Sequence, residues 1–121
     1  MNSGQVCLCL KYPYVHESIY EQFCDALVEQ ASGVKVGNSF GEGVTHGPIQ
    51  NSMQCERVKG FFAEIEKQGQ KVAVGGKNEH KSKGYFITPT IIDNPSDDSR
   101  IVVEEPFGES VFGSARLTVT S

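Results

Sequence analysis

The stretch Asn51-Ser52-Met53-Gln54-Cys55-Glu56-Arg57-Val58-Lys59-Gly60-Phe61-Phe62-Ala63-Glu64-Ile65-Glu66-Lys67-Gln68 is followed by Gly69-Gln70-Lys71-Val72-Ala73-Val74, and the two halves carry different patterns. The first half sets Val58, Phe61, Phe62 and Ile65 on one face of a helix. Asn51 reads as its N-cap, with Gln54 three residues later as in a capping box, and Gly69 as its end. Lys71–Val74 reads as a short strand closed by Gly75-Gly76. The same alternation continues upstream. From Glu17 to about Ser32, Ile19, Phe23, Leu27 and Ala31 recur at every fourth position, with Tyr20, Cys24 and Val28 alongside, and Gly33 supplies a stop. The stripe is expected to be core. A strand is expected through Tyr12–Val15, with Pro13 at its beginning or on an edge because proline cannot donate to a ladder.

Between the helices, residues 34–48 are rich in glycine and form a long connection. Downstream, Tyr85–Ile92 has strand composition broken by Pro89, and Asp93–Ser99 is polar and turn-forming. Ile101-Val102-Val103 is a candidate for a short buried strand. Helix and strand in alternation predict an α/β layer arrangement.

The totals bound the function. The chain has 121 residues, the size of one domain, and a net charge of −4 from 11 basic and 15 acidic residues. This balance argues against nucleic acid or an anionic membrane as the main partner. The lysine-bearing stretch 76–83 mixes in acid and amide and reads as a solvated loop. No charged-then-apolar leader and no apolar run near ~20 residues is visible, so a cytoplasmic location is expected. Cys7, Cys9, Cys24 and Cys55 lack the ligand spacing of structural zinc, so no metal is expected. Cys24 and Cys55 lie in the two helices and read as packing residues.

The chain opens on Asn2-Ser3-Gly4-Gln5-Val6-Cys7. Gly4 lets the backbone turn tightly before the cysteine, and a helix beginning there would favour a thiolate. On local composition alone a buried, inert cysteine remains the commoner outcome. His16, His46 and His80 are scattered, so the sequence offers no cysteine–histidine dyad.

That opening resembles the active-site cysteine motif of the NAD(P)-dependent aldehyde dehydrogenase superfamily. Tyr14-Val15-His16-Glu17-Ser18-Ile19-Tyr20-Glu21-Gln22-Phe23 is similar to the strand–helix stretch that follows it there. Val36-Gly37-Asn38, Gly47-Pro48 and Gly84-Tyr85-Phe86-Ile87-Thr88-Pro89-Thr90 resemble later family segments in order. Glu104-Glu105-Pro106-Phe107-Gly108 resembles the family's Glu-Glu-x-Phe-Gly-Pro motif, with Glu109 where the motif has proline.

The resemblance covers residues 2–108 and implies a partial three-layer α/β/α catalytic domain with a mostly parallel sheet. It sets residues 109–121 apart as a divergent tail. It implies Cys7 as the nucleophile toward a small aldehyde, with its backbone N–H as half of an oxyanion hole. It implies Glu105 as a ribose-binding carboxylate and Phe107 as the aromatic beside the nicotinamide. Gln54 and Arg57 are implied near the cofactor, NAD or NADP. In the family, the dinucleotide domain, the general-base glutamate and the oxyanion asparagine precede the cysteine motif. They are not among these 121 residues, so the chain alone is expected to be an inactive fragment of a subunit that forms homo-oligomers. Two other readings are a noncatalytic module that binds full-length subunits and a redox-reactive thiol protein using Cys7 and Cys9.

Overall fold

The computed structural model describes residues 2–7, 11–76, 83–107 and 111–117. Cys9 and the greater part of the lysine-bearing loop lie outside the described residues. A one-turn 3-10 segment at Asn2–Gly4 is followed by β1 (Tyr14–His16), α1 (Glu17–Ser32) and α2 (Ser52–Lys67). Then come β2 (Val72–Val74), β3 (Thr90–Asp93), the single turn α3 (Arg100–Val103) and β4 (Val111–Leu117). The strands form one sheet in the order β1-β4-β3-β2. β4 runs parallel to both neighbours, and β2 pairs antiparallel with β3.

Both long helices keep to the limits their residues suggest. His16 caps α1 by accepting the Ser18 N–H at Nδ1, and the Gly33 N–H closes its end on the Glu29 carbonyl. Asn51 caps α2 by accepting the Gln54 N–H at 2.9 Å.

The main core joins Ile49, Cys55, Val58, Phe61, Phe62 and Ile65, from α2 and the loop before it, to Ile87, Ile92 and Ile101. Neighbouring residues on a strand point to opposite faces. Ile92 therefore faces α2, while Ile91, buried but outside that cluster, faces the other way with Asp93. The Tyr20 hydroxyl of α1 donates to the Asp93 carboxylate at 2.6 Å, so α1 covers the Ile91 face. The result is a helix on each side of a mostly parallel sheet.

Three expectations change. Helix α1 buries Tyr20, not the Ile19 stripe: Ile19 is 53% exposed, and Phe23, Leu27 and Ala31 are only half-buried. The tyrosine turns inward because Asp93 gives its hydroxyl a charged acceptor there. Ile101–Val103 is helical, not extended. The Val102 and Val103 N–H groups both donate to the Ser99 carbonyl, and Arg100 pairs with Glu104 across the turn. Three apolar residues are too few to impose a strand against that local bonding. Third, the segment set apart as a tail contributes β4, an inner strand whose residues 111–114 pair with β3 and whose residues 115–117 pair with β1. The connection 94–110 gives the parallel β3–β4 pair the dozen or more residues that such a crossover needs.

The closure of β2 depends on glycine. Gly75 sits at φ +76, and a side chain there would run into the Pro89 carbonyl and Thr90. Pro89 also limits the expected Tyr85–Ile92 strand to its last part, Thr90 onward.

Candidate functional site

Cys7 stands on a tethered turn. Ser3 and Gly4 both adopt left-handed backbone, at φ 51 and 72, an uncommon state for serine. Burial and a hydrogen bond hold it: Ser3 is 7% exposed, and its hydroxyl donates to the Gly47 carbonyl at 3.2 Å. Two residues on, the Gln5 side-chain oxygen accepts the Gln50 N–H at 2.9 Å. The turn is thereby fastened to the loop that leads into α2, and the Cys7 thiol is exposed beyond it. Cys55 is buried in the main core, and Cys24 is half-buried outside that cluster. His16 is occupied as a helix cap, and His46 bonds the Thr45 hydroxyl; burial lowers the His46 pKa. Among the described residues no hydrogen bond joins a histidine to Cys7.

The second part of the site is the strap 104–107, which leaves α3 and passes the first turns of α2. Arg57 donates to the Glu105 carbonyl at 3.0 Å. Gln54 gives its Nε2 hydrogens to the Pro106 and Phe107 carbonyls at 2.7 and 2.6 Å. Lys11, four residues after Cys7, donates to the Glu104 carbonyl. The Glu104 carboxylate lies 3.8 Å from Arg57 and 3.0 Å from the Arg100 Nε. Arg100 also reaches Glu64 at 3.4 Å and lies 4.3 Å above the Phe61 ring. Its pKa is raised, chiefly by the Glu104 hydrogen bond. With the backbone so occupied, the Glu105 side chain stays exposed, and Phe107, left-handed at φ 47, shows 43% of its surface.

The structure thus brings Gln54, Arg57, Glu105 and Phe107 together and ties the Cys7 turn to the same end of α2. It changes the part Gln54 plays at the helix start. A full capping box would turn the Gln54 side chain back to the Asn51 N–H. Here it reaches across to two carbonyls of the strap instead. Sequence reading missed Lys11, Ser3, Gln5, Glu104 and Arg100. Ser3, Gln5 and Glu104 stand in the quoted motifs, but the contacts of all five reach residues 36 or more positions away and leave no local signal. Among the described residues no group of three or more histidines, cysteines or acids could hold a metal ion, and no helix is long and apolar enough to cross a membrane.

The model of the aldehyde dehydrogenase family matches residues 1–111, which run through both parts of this site. The chain belongs to the aldehyde dehydrogenase family. Among its relatives, succinate-semialdehyde dehydrogenase [NADP(+)] 2 of Schizosaccharomyces pombe is 37% identical over 111 residues, which cover 90% of this chain and 22% of that protein. An aldehyde dehydrogenase of Bacillus cereus superposes with a TM-score of 0.89 at 36% identity, over 98% of this chain and 24% of that one. The NAD+ complex of aldehyde dehydrogenase from the same organism gives 0.86 at 37% identity, over 96% and 24%. The chain therefore spans less than a quarter of the length of these family members. Its helix–sheet–helix layering is the partial α/β domain of that family.

Proposed function

We propose that the chain carries the nucleophile and part of the dinucleotide contact of an NAD(P)+-dependent aldehyde dehydrogenase that oxidises a small aldehyde to its carboxylic acid. The observation that supports this most is the shared anchorage: the exposed Cys7 turn and the Glu105–Phe107 strap are both fastened to the start of α2. The Cys7 thiolate adds to the carbonyl carbon, and the carbonyl electron pair moves to oxygen, where the Cys7 backbone N–H can receive it. After loss of hydride from that carbon, Cys7 holds the acyl group as a thioester until water adds and the thiolate leaves.

The dinucleotide, when bound, supplies the hydride acceptor. The strap fits that group: the exposed Glu105 carboxylate offers two acceptor oxygens to a ribose diol, and the Phe107 ring offers an apolar face. Gln54 and Arg57 lie beside them. Both Nε2 hydrogens of Gln54 lie on carbonyls of the strap. One relative is named for NADP+ and one structural neighbour holds NAD+, so both cofactors are carried forward.

Because thiolate, base and cofactor cleft act as a unit, the 121 residues alone are expected to give little turnover. The test is to incubate the pure chain with NAD+ or NADP+ and short aldehydes, following reduced nicotinamide, and to measure dinucleotide binding by saturation-transfer NMR. Binding should weaken in Glu105→Gln, and any turnover should vanish in Cys7→Ala. Binding indifferent to Glu105→Gln, or turnover that survives Cys7→Ala, overturns the assignment.

A further inference from the structure

Four consecutive backbone carbonyls of the strap are each held by a side-chain donor. Lys11 holds Glu104, Arg57 holds Glu105, and Gln54 holds Pro106 and Phe107. An exposed loop ordinarily leaves its carbonyls to water, and a single side chain on one carbonyl would call for no explanation. Here three donors from two separate segments address every carbonyl of one four-residue stretch. Two of the three are cations, whose hydrogen bonds are the stronger kind.

We propose that Gln54, Arg57 and Lys11 are positioning residues. They set the strap by its main chain so that the Glu105 carboxylate and the Phe107 ring face outward with their own groups unspent. The placement of Phe107 supports this. Its left-handed backbone, at φ 47, is a state that a residue with a bulky side chain keeps only when its surroundings impose it. Gln54 bonds the carbonyls before and after the Phe107 Cα, which fixes the direction in which the ring leaves the chain. Lys11 adds a link of a different kind, since it joins the segment after Cys7 directly to the strap. That these side chains are presented to a dinucleotide rests on the function proposed above; the carbonyl grip itself does not.

The test reads each carbonyl separately. Backbone carbonyl carbon resonances of the full chain are assigned by triple-resonance NMR in wild type and variants. Gln54→Glu keeps the shape of the side chain and removes its N–H donors. It should move the Pro106 and Phe107 resonances upfield and leave Glu104 and Glu105 in place. Protonation of the new carboxyl below about pH 4 returns one O–H donor and should bring one of the two resonances back. Arg57→Met should move Glu105 alone, Arg57→Lys should restore it in part, and Lys11→Met should move Glu104 alone.

Unmoved Pro106 and Phe107 resonances, or a diffuse change that reaches Phe61 and Ile65 instead, overturn the proposal. If Gln54→Glu does not fold, the surface variant Lys11→Met decides, and an unmoved Glu104 resonance overturns it. Titration with NAD+ and NADP+ separates the two readings. A clean carbonyl pattern with strap resonances indifferent to both dinucleotides supports the grip and sinks the proposed function. A dinucleotide response without the carbonyl pattern does the reverse.

Discussion

Helices α1 and α2 have the same length, 16 residues each, and similar amphipathic patterns, yet they are used differently. α2 buries Cys55, Val58, Phe61, Phe62 and Ile65, while α1 buries Tyr20 alone. The donors that hold the strap, Gln54 and Arg57, both belong to α2. A side chain places a ligand-facing loop accurately only if its own backbone is fixed, and burial on this scale fixes it. α1 is tied to the sheet by the Tyr20–Asp93 hydrogen bond and serves as a cover for the Ile91 face. An apolar stripe therefore marks a helix that packs. How deeply it packs depends on what the opposite surface offers.

The largest expected effect tests the deep side of this comparison. Phe61→Ala should cost about 3–5 kcal/mol in urea unfolding, since it opens a cavity in the main core. It should also release Arg100, whose guanidinium lies on that ring, and with it the support of Glu104. Tyr20→Phe, which breaks the anchor of α1, should cost about 1.5–3 kcal/mol, toward the lower end because Lys71 still pairs with Asp93. A smaller value would mean that α1 is held by its apolar edge after all. Asn51→Ala removes the α2 cap and should cost about 1 kcal/mol by the same measurement. It should also loosen the first turn that carries Gln54. Ile19→Ser, on the exposed side of α1, should stay within about 0.5 kcal/mol. A cost near that of Phe61→Ala would erase the difference between the helices.

The parts of the fold that were legible share one property. The cap at Asn51 and the stop at Gly33 are settled by bonds within a few residues, and the face Val58–Phe61–Phe62–Ile65 by spacing within one helix. Ile101–Val103 shows the limit of composition: β-branched residues suggest a strand, but Ser99 and Arg100 close a helical turn first. β4 shows another limit. It is a strand because β1 and β3 flank it, with Tyr14 set against Ala115 and Thr90 against Val111. The candidate site divides in the same way. Cys7, Glu105 and Phe107 were visible through the motifs that resemble a known family. Lys11, and the true errand of the Gln54 amide, were not.

By itself the sequence determined where the long helices begin and end, that the chain alternates helix and strand, and which motif residues stand at its two chemical ends. The reason is that capping, periodicity and turn chemistry act over one to four residues, and each residue type carries that preference with it. Only the tertiary structure decided that Tyr20 turns inward, that residues 111–117 complete the middle of the sheet, and that Lys11, Gln54 and Arg57 converge on 104–107. Those outcomes depend on acceptors and strand partners tens of residues away, whose positions exist only once the chain has folded.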